Sequence, residues 1–221
     1  LEFRRVLFRS YSISGVLHDS QNLAIKIGGA NIRFYDLAHR LIVSATSDSS
    51  GRFSLQSPAG TFAVSVHADG YVDINQQQLN VQGSIDLGTS ADLAMSREVP
   101  IGEWRAVLSW NGMEPDLDTH VKFGAGLRQR VYYSRKDITD SSTGIHVSLD
   151  VDDTSYYGPE TATMNGVGSC TAGSDCKIEY SVNRYSSRSE LRNAGVLVTL
   201  YGDNQIKGVF SLNDVPAGQR R

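Results

Sequence analysis

From Tyr11 onward apolar residues recur mainly at every second position, in short runs broken by Gly, Asn, Asp and Ser. That alternation is the pattern of strands with one buried face. Ile13 and Val16, Ile32 and Phe34, Leu41 and Val43, Phe53 and Leu55, Phe62 and Val64, Leu79 and Val81, and Ile85 and Leu87 predict about seven strands. Their spacing of roughly 8–12 residues is that of a β-sandwich. No apolar stripe at helical spacing interrupts them before Met95. A second strand-rich stretch predicts strands at 104–110, 120–123, 130–133, 146–150, 177–182 and 195–201. Between the two lies a polar segment marked by Pro100 and Gly102. The expectation is an all-β chain of two tandem antiparallel β-sandwich domains, at 11–97 and 104–221, joined by a linker at 98–103.

Composition changes this picture only at the edges. The chain has 221 residues, 40% hydrophobic and 20% charged, with a net charge of -3, which describes a folded chain and not a disordered one. No run approaches the roughly 18 apolar residues of a membrane span. A charge of this sign and size gives no electrostatic reason to expect nucleic acid. Residues 1–10 carry Arg4, Arg5 and Arg9 with Phe3 and Phe8 in no strand or helix period. They read as the in-frame translation of a sequencing adaptor rather than a signal peptide. Without them the chain holds 18 basic and 23 acidic residues, a net charge of -5. The chain is then expected to be a fragment, with its true start missing and its end, just past Pro216 and Gly218, truncated.

Turn chemistry is the most ordered signal in the first half. Gly15 and Val16 open one strand, Gly29 and Ala30 precede the next, and Asp48-x-x-Gly51 leads into Phe53. An Asp in that position caps its own turn while Gly takes the positive φ. Pro58, Ala59 and Gly60 form a second turn, and Asp69, Gly70 and Tyr71 a third. This set resembles the carboxypeptidase regulatory-like domain, a small transthyretin-like β-sandwich, from residue 11 to about residue 95. The resemblance implies a non-catalytic module, a spacer or folding appendage of secreted and cell-surface proteins, with no active site.

In the second half, candidate chemistry concentrates in two acidic runs. As a strand, 116–121 puts Asp116, Asp118 and His120 on one face and Leu117, Thr119 and Val121 on the other. About thirty residues later Asp150 and Asp152 repeat the arrangement, followed by Asp153, Tyr157 and Glu160. Carboxylates gathered in this way repel one another unless neutralised. Three readings stay open: turn carboxylates capping backbone N–H groups, a Ca²⁺ ion held by Asp116, Asp118, Asp150, Asp152 and Glu160, or general acid/base work. Pairing with Arg105, Arg130 or Arg135 would also satisfy them without a metal. Hard oxygen ligands favour Ca²⁺ over Zn²⁺.

Trp110, the run Asp116 to His120, Tyr132, Tyr133 and Ser134, and the run Leu149 to Glu160 together resemble the YfaP-like domain of unknown function, from about residue 104 to 212. That resemblance implies a secreted β-sandwich and no particular activity. The family continues past a Pro-x-Gly turn into a further aromatic-rich strand, which is not found after Gly218 here.

Cys170 and Cys176 flank a turn-rich insertion and are the only two cysteines. Their spacing suits a disulfide closing a small loop, and with it an oxidising compartment. Two free thiols or a metal pair are the alternatives. The five histidines form no His-Glu-x-x-His, and there is no Gly-x-Ser-x-Gly and no phosphate-binding Gly loop. The chain is therefore expected not to be an enzyme. It is expected to be a structural or adhesive binding module of a larger secreted or cell-surface protein, with an extracellular protein or a glycan as partner and neither nucleic acid nor membrane insertion. His120, Tyr132, Tyr133 and Tyr157 would contact the ligand, the tyrosines by stacking. Alternatives are a carbohydrate-binding accessory domain of a secreted hydrolase, and a hydrolase using Asp116, Asp118 and His120.

Overall fold

The computed structural model describes residues 9–88, 93–110, 116–154, 158–169, 177–185 and 194–214. The described chain is almost entirely β. In the first sandwich, a sheet ordered β5 (Arg52–Pro58), β1 (Ser10–Val16), β8 (Ile85–Asp86) faces a sheet ordered β4 (Leu41–Thr46), β3 (Asn31–Tyr35), β6 (Gly60–His67), β7 (Ile74–Val81). Ile13, Phe53 and Leu55 from one sheet meet Ile32, Phe34, Phe62 and Val66 from the other in one buried cluster. These are the alternate residues that the sequence pattern marks. Two short parallel pairs stand among the antiparallel ones, β1 with β8, and β2 (His18–Asp19) with β9 (Ala94–Met95). β8 lies alongside β1 because the chain crosses from one sheet to the other after β7.

The Asp48 turn forms as its residue types require. Asp48 Oδ1 accepts from the amides of Ser50 at 2.8 Å and Arg52 at 2.9 Å, and Gly51 has φ 72°. A Cβ on Gly51 would lie 2.4 Å from the carbonyl oxygen of Leu17.

In the second sandwich a six-stranded sheet runs β13 (Asp137–Thr139), β14 (His146–Val151), β15 (Glu160–Asn165), β10 (Trp104–Ser109), β17 (Leu197–Gly202), β18 (Gln205–Ser211). It packs on a three-stranded sheet, β12 (Gln129–Val131), β11 (Leu117–Phe123), β16 (Glu179–Arg184). Ala106, Val147, Leu149, Ala162 and Met164 of the large sheet meet Val121, Phe123 and Val131 of the small one.

β15 is a strand that the hydrophobic pattern does not announce. It lies inside the large sheet between β14 and β10, and residues 160–164 are all buried. Ala162 and Met164 face the core, whereas Thr161 and Thr163 lie on the outer face, which residues of the first sandwich cover. Thr161 Oγ1 donates to Ser20 O at 2.6 Å, and Gln21 Nε2 donates to Thr163 Oγ1 at 3.4 Å. On the same face Arg105, 3% exposed, donates to Ser96 Oγ at 2.8 Å, Arg97 O at 2.9 Å and Glu103 Oε1 at 2.5 Å. Val72 and Val99 complete this contact against Val107 and Tyr201. Segment 98–103, read from the sequence as a polar linker, thus contributes a fully buried Val99, and Val99 O accepts from Asn204 N at 3.0 Å.

Asp140 fixes the turn between β13 and β14. Its Oδ2 accepts from Ser142 Oγ at 2.8 Å and Thr143 Oγ1 at 2.6 Å. The hydroxyls of Thr143 and Ser142 hold its pKa down to about 2. Its pKa in the unfolded chain is higher, so the stability it contributes is present above about pH 4 and lost as pH falls through about 2. Asp140→Asn should flatten the acid limb of the stability curve between about pH 4 and 2, measured by urea unfolding at each pH. Gly51→Ala should lower the unfolding free energy by about 2 kcal/mol or more, from strain at positive φ plus the close approach to Leu17 O. An unchanged urea midpoint would contradict that reading of the turn.

Candidate functional site

The acidic cluster forms where the start of β11 meets the start of β15. Asp116 and Asp118 come from the small-sheet side and Glu160 from the large sheet, and ligand oxygens of all three lie within 4.8 Å of one another. Leu108, opposite Glu160 on β10, is fully buried, as is Leu117. These apolar neighbours remove water from the carboxylates. Glu160 is 0% exposed and Asp118 6% exposed.

One oxygen of Glu160 is accounted for by the sheet. On the β12 side of β11 the ladder runs only as far as the Val121–Val131 pair. Beyond it the Thr119 amide donates to Glu160 Oε2 at 2.5 Å, and Thr119 Oγ1 lies 2.8 Å from Tyr180 OH. Glu160 Oε1 and Asp116 Oδ1 are buried with no hydrogen-bond partner among the described residues. Buried polar atoms are normally paired, so two orphans in one cluster call for an explanation.

The electrostatics follow from this geometry. Burial pushes Glu160 up to about 9; the Thr119 hydrogen bonds oppose the rise and Asp152 adds to it. Burial also pushes Asp118 up to about 6, helped by Asp116 and Asp152. Asp116 is raised by burial and then by Asp152 and Asp153.

The second acidic run divides. A register shift between Leu149 and Val151 lets Asp150 and Asp152 part company, although strict alternation would have kept them on one face. Asp150 turns to the outer face of the large sheet, where Oδ2 accepts from Thr163 Oγ1 at 2.5 Å and Gln21 Nε2 at 3.2 Å and Oδ1 accepts from Ser148 Oγ at 2.6 Å. Asp152 stays near the cluster, with Lys136 Nζ 2.7 Å from its Oδ2. Two of the arginines named from the sequence are occupied elsewhere, Arg105 with Glu103 and Arg130 with His120.

His120 takes no part in the acidic group. Arg130 donates from Nε to His120 Nδ1 at 3.1 Å, with Nη2 also directed at Nδ1, and Asn183 Nδ2 lies 3.2 Å from the same atom. An acceptor at Nδ1 makes this the neutral Nε2–H tautomer. Burial, followed by Arg130 and Lys122, lowers its pKa to about 4.

Around His120 the small sheet carries a row of rings. The Tyr132 ring is 5.5 Å from His120 and 5.2 Å from Tyr133, and Tyr133 is 5.8 Å from Tyr185, the last two contacts edge to face. Arg130 lies over Tyr132, 4.8 Å from its centroid. Tyr133 is 43% and Tyr185 65% exposed, so the row opens to solvent. Tyr132, Tyr133 and His120 are ligand contacts expected from the sequence; Arg130, Asn183 and Tyr185 join them only in the fold. The sequence signal for the last two is the alternation of Glu179, Ser181, Asn183 and Tyr185, which marks an outward face. Tyr157, Cys170 and Cys176 lie outside the described residues.

Residues 12–96, which span the first sandwich, match the family described as the Carboxypeptidase regulatory-like domain. No curated protein matches the chain. Among solved structures, the chain is similar to a type II Cohesin-X-Dockerin complex from Acetivibrio cellulolyticus, with 21% identity and TM-score 0.30 over 40% of this chain and 58% of that one. It thus spans somewhat more than half of that chain. It is also similar to BcpA*(D312A), the major pilin subunit of Bacillus cereus, with 11% identity and TM-score 0.37 over 91% and 67% of the two chains. A DUF3823 family protein from Parabacteroides merdae is similar at 10% identity and TM-score 0.33 over 91% and 98%.

The pairing of His120 with a cation has a direct spectroscopic consequence. By NMR its ring should titrate at about pH 4, and Arg130→Gln should move the midpoint upward toward the ordinary histidine value. A midpoint above 6.5 in the unsubstituted protein would show a carboxylate partner in place of Arg130.

Proposed function

We propose that this chain is a non-catalytic binding module of a secreted or cell-surface protein, with the first sandwich as support and the second, a YfaP-like sandwich beginning after 98–103, as the ligand-bearing part. The ligand is a glycan. The observation that carries this reading is the solvent-open row of Tyr132, Tyr133 and Tyr185, just past the ends of β12 and β16, with Arg130 of β12 beside it. Rings of this kind offer an apolar face to a pyranose while their edges and hydroxyls stay wet. Arg130 and Asn183 add donors at the margin, as a sugar-binding face needs. A Cys170–Cys176 disulfide would suit the same compartment.

The hydrolase alternative is disfavoured by His120. A ring with a pKa of about 4, whose Nδ1 accepts from Arg130, is a poor general base beside Asp116 and Asp118. The accessory-domain alternative uses the same surface and differs only in what flanks it.

A glycan array with the full chain tests the reading. Specific binding is expected, with affinity falling roughly tenfold on Tyr133→Ala or Tyr185→Ala, the scale of losing one stacked ring. Binding that survives removal of both rings, or hydrolysis abolished by His120→Ala, would overturn it.

A further inference from the structure

From the acidic cluster we infer a divalent-cation site of the Ca²⁺ class, with Asp116, Asp118 and Glu160 as its protein ligands and a role in clamping the two sheets of the second sandwich together. The inference does not rest on the glycan reading, which uses Arg130, Asn183 and the tyrosine row and none of these three carboxylates. Its first support is convergence, since three carboxylates reach within 4.8 Å of one another from two sheets that share no hydrogen-bonded strand pair. The second support is independent. Glu160 is fully buried and its Oε1 accepts from no donor among the described residues, and Asp116 Oδ1 is likewise buried without one. Turn-capping carboxylates in this protein look different, because Asp48 and Asp140 spend their oxygens on neighbouring amides and hydroxyls.

The donor set chooses the ion. All donors of the group are carboxylate oxygens, and His120, two residues along β11 from Asp118, has its Nδ1 engaged by Arg130. Among the described residues the cluster thus offers none of the nitrogen or sulfur ligands that zinc prefers. Three carboxylates, of which Asp116 and Asp118 can bind through one or both oxygens, match the higher and more irregular coordination of Ca²⁺ better than the strict octahedron of Mg²⁺. Asp152 acts electrostatically on Asp116 and Asp118, comes within hydrogen-bond reach of Glu160, and is itself held by Lys136 at 2.7 Å, which places a fourth carboxylate at the rim. Because Glu160 belongs to β15 and its Oε2 already holds the Thr119 amide of β11, an ion on Oε1 would add a second tie across the same seam.

The competing account is a neutral, protonated Glu160 that needs no metal. Thermal melting of the full chain in ~1 mM Ca²⁺ and in chelator, within the range to which extracellular calcium modules are tuned, separates the two. The ion account expects a higher Tm in Ca²⁺, binding heat by calorimetry, and Tb³⁺ luminescence sensitised through Tyr180. Glu160→Gln should weaken Ca²⁺ binding at least tenfold. Should that variant fail to fold, Asp116→Asn, at a partly buried position outside the strand ladders, should show the same loss in a folded protein. Equal Tm values in Ca²⁺ and chelator with no Tb³⁺ signal would overturn the inference, as would a Ca²⁺ response unchanged in Asp116→Asn. A response to Mg²⁺ without one to Ca²⁺ would overturn the assignment of the ion. Failure of every glycan to bind would leave it standing.

Discussion

The second sandwich depends on a strand that has no solvent face. β15 lies between β14 and β10, its inner side chains against the small sheet and its outer ones beneath the first sandwich. Small residues are what such a strand requires: Ala162 leaves room for the core, and Thr161 and Thr163 supply hydroxyls where the two sandwiches touch. The same alternation that aims Thr161 outward aims Glu160 inward, next to Leu108 and toward Thr119. A carboxylate in that place is costly unless something positive or a proton accompanies it. The cost is structural in origin, since the residue sits inside the sheet that organises the domain.

Contact between the two sandwiches is polar as well as apolar. The small cluster of Val72, Val99, Val107 and Tyr201 is flanked by Arg105, which is buried with its donors distributed over Glu103, Ser96, Arg97 O and Thr163. Asp150, diverted from the acidic group by the register shift, lies on this face and favours the charged form of Arg105. A buried guanidinium with satisfied donors is costly to separate from its partners. The aromatic row lies on the other sheet, so the surface that would meet a ligand is not the one that joins the two halves.

Much of this was legible in residue patterns. Alternation located the strands of the first sandwich, because each has one core face and one exposed face, as in β5, where Phe53, Leu55 and Ser57 alternate with exposed residues. The Asp48 turn could be read to the atom, since an Asp cap and a positive-φ glycine leave little choice. β15 escaped because burial on both faces erases the period on which strand reading relies. Asp150 was placed with Asp152 because a local register shift is invisible to a strict two-residue period. His120 was grouped with Asp118 by face alone, whereas its chemistry is set by Arg130, a neighbour in space from β12. Sequence spacing gives direction along one strand; the partner across the sheet comes only from topology.

The central claim is that Glu160 is a buried ligand and not a buried neutral acid. Crystallography of the full chain grown with calcium, with anomalous difference maps, addresses it most directly. The account predicts an anomalous peak bonded to Glu160 Oε1 and Asp116 Oδ1 at roughly 2.3–2.6 Å, the range of calcium–oxygen bonds. No peak at the cluster, with Glu160 Oε1 instead donating a proton to a neighbouring carboxylate, would contradict it.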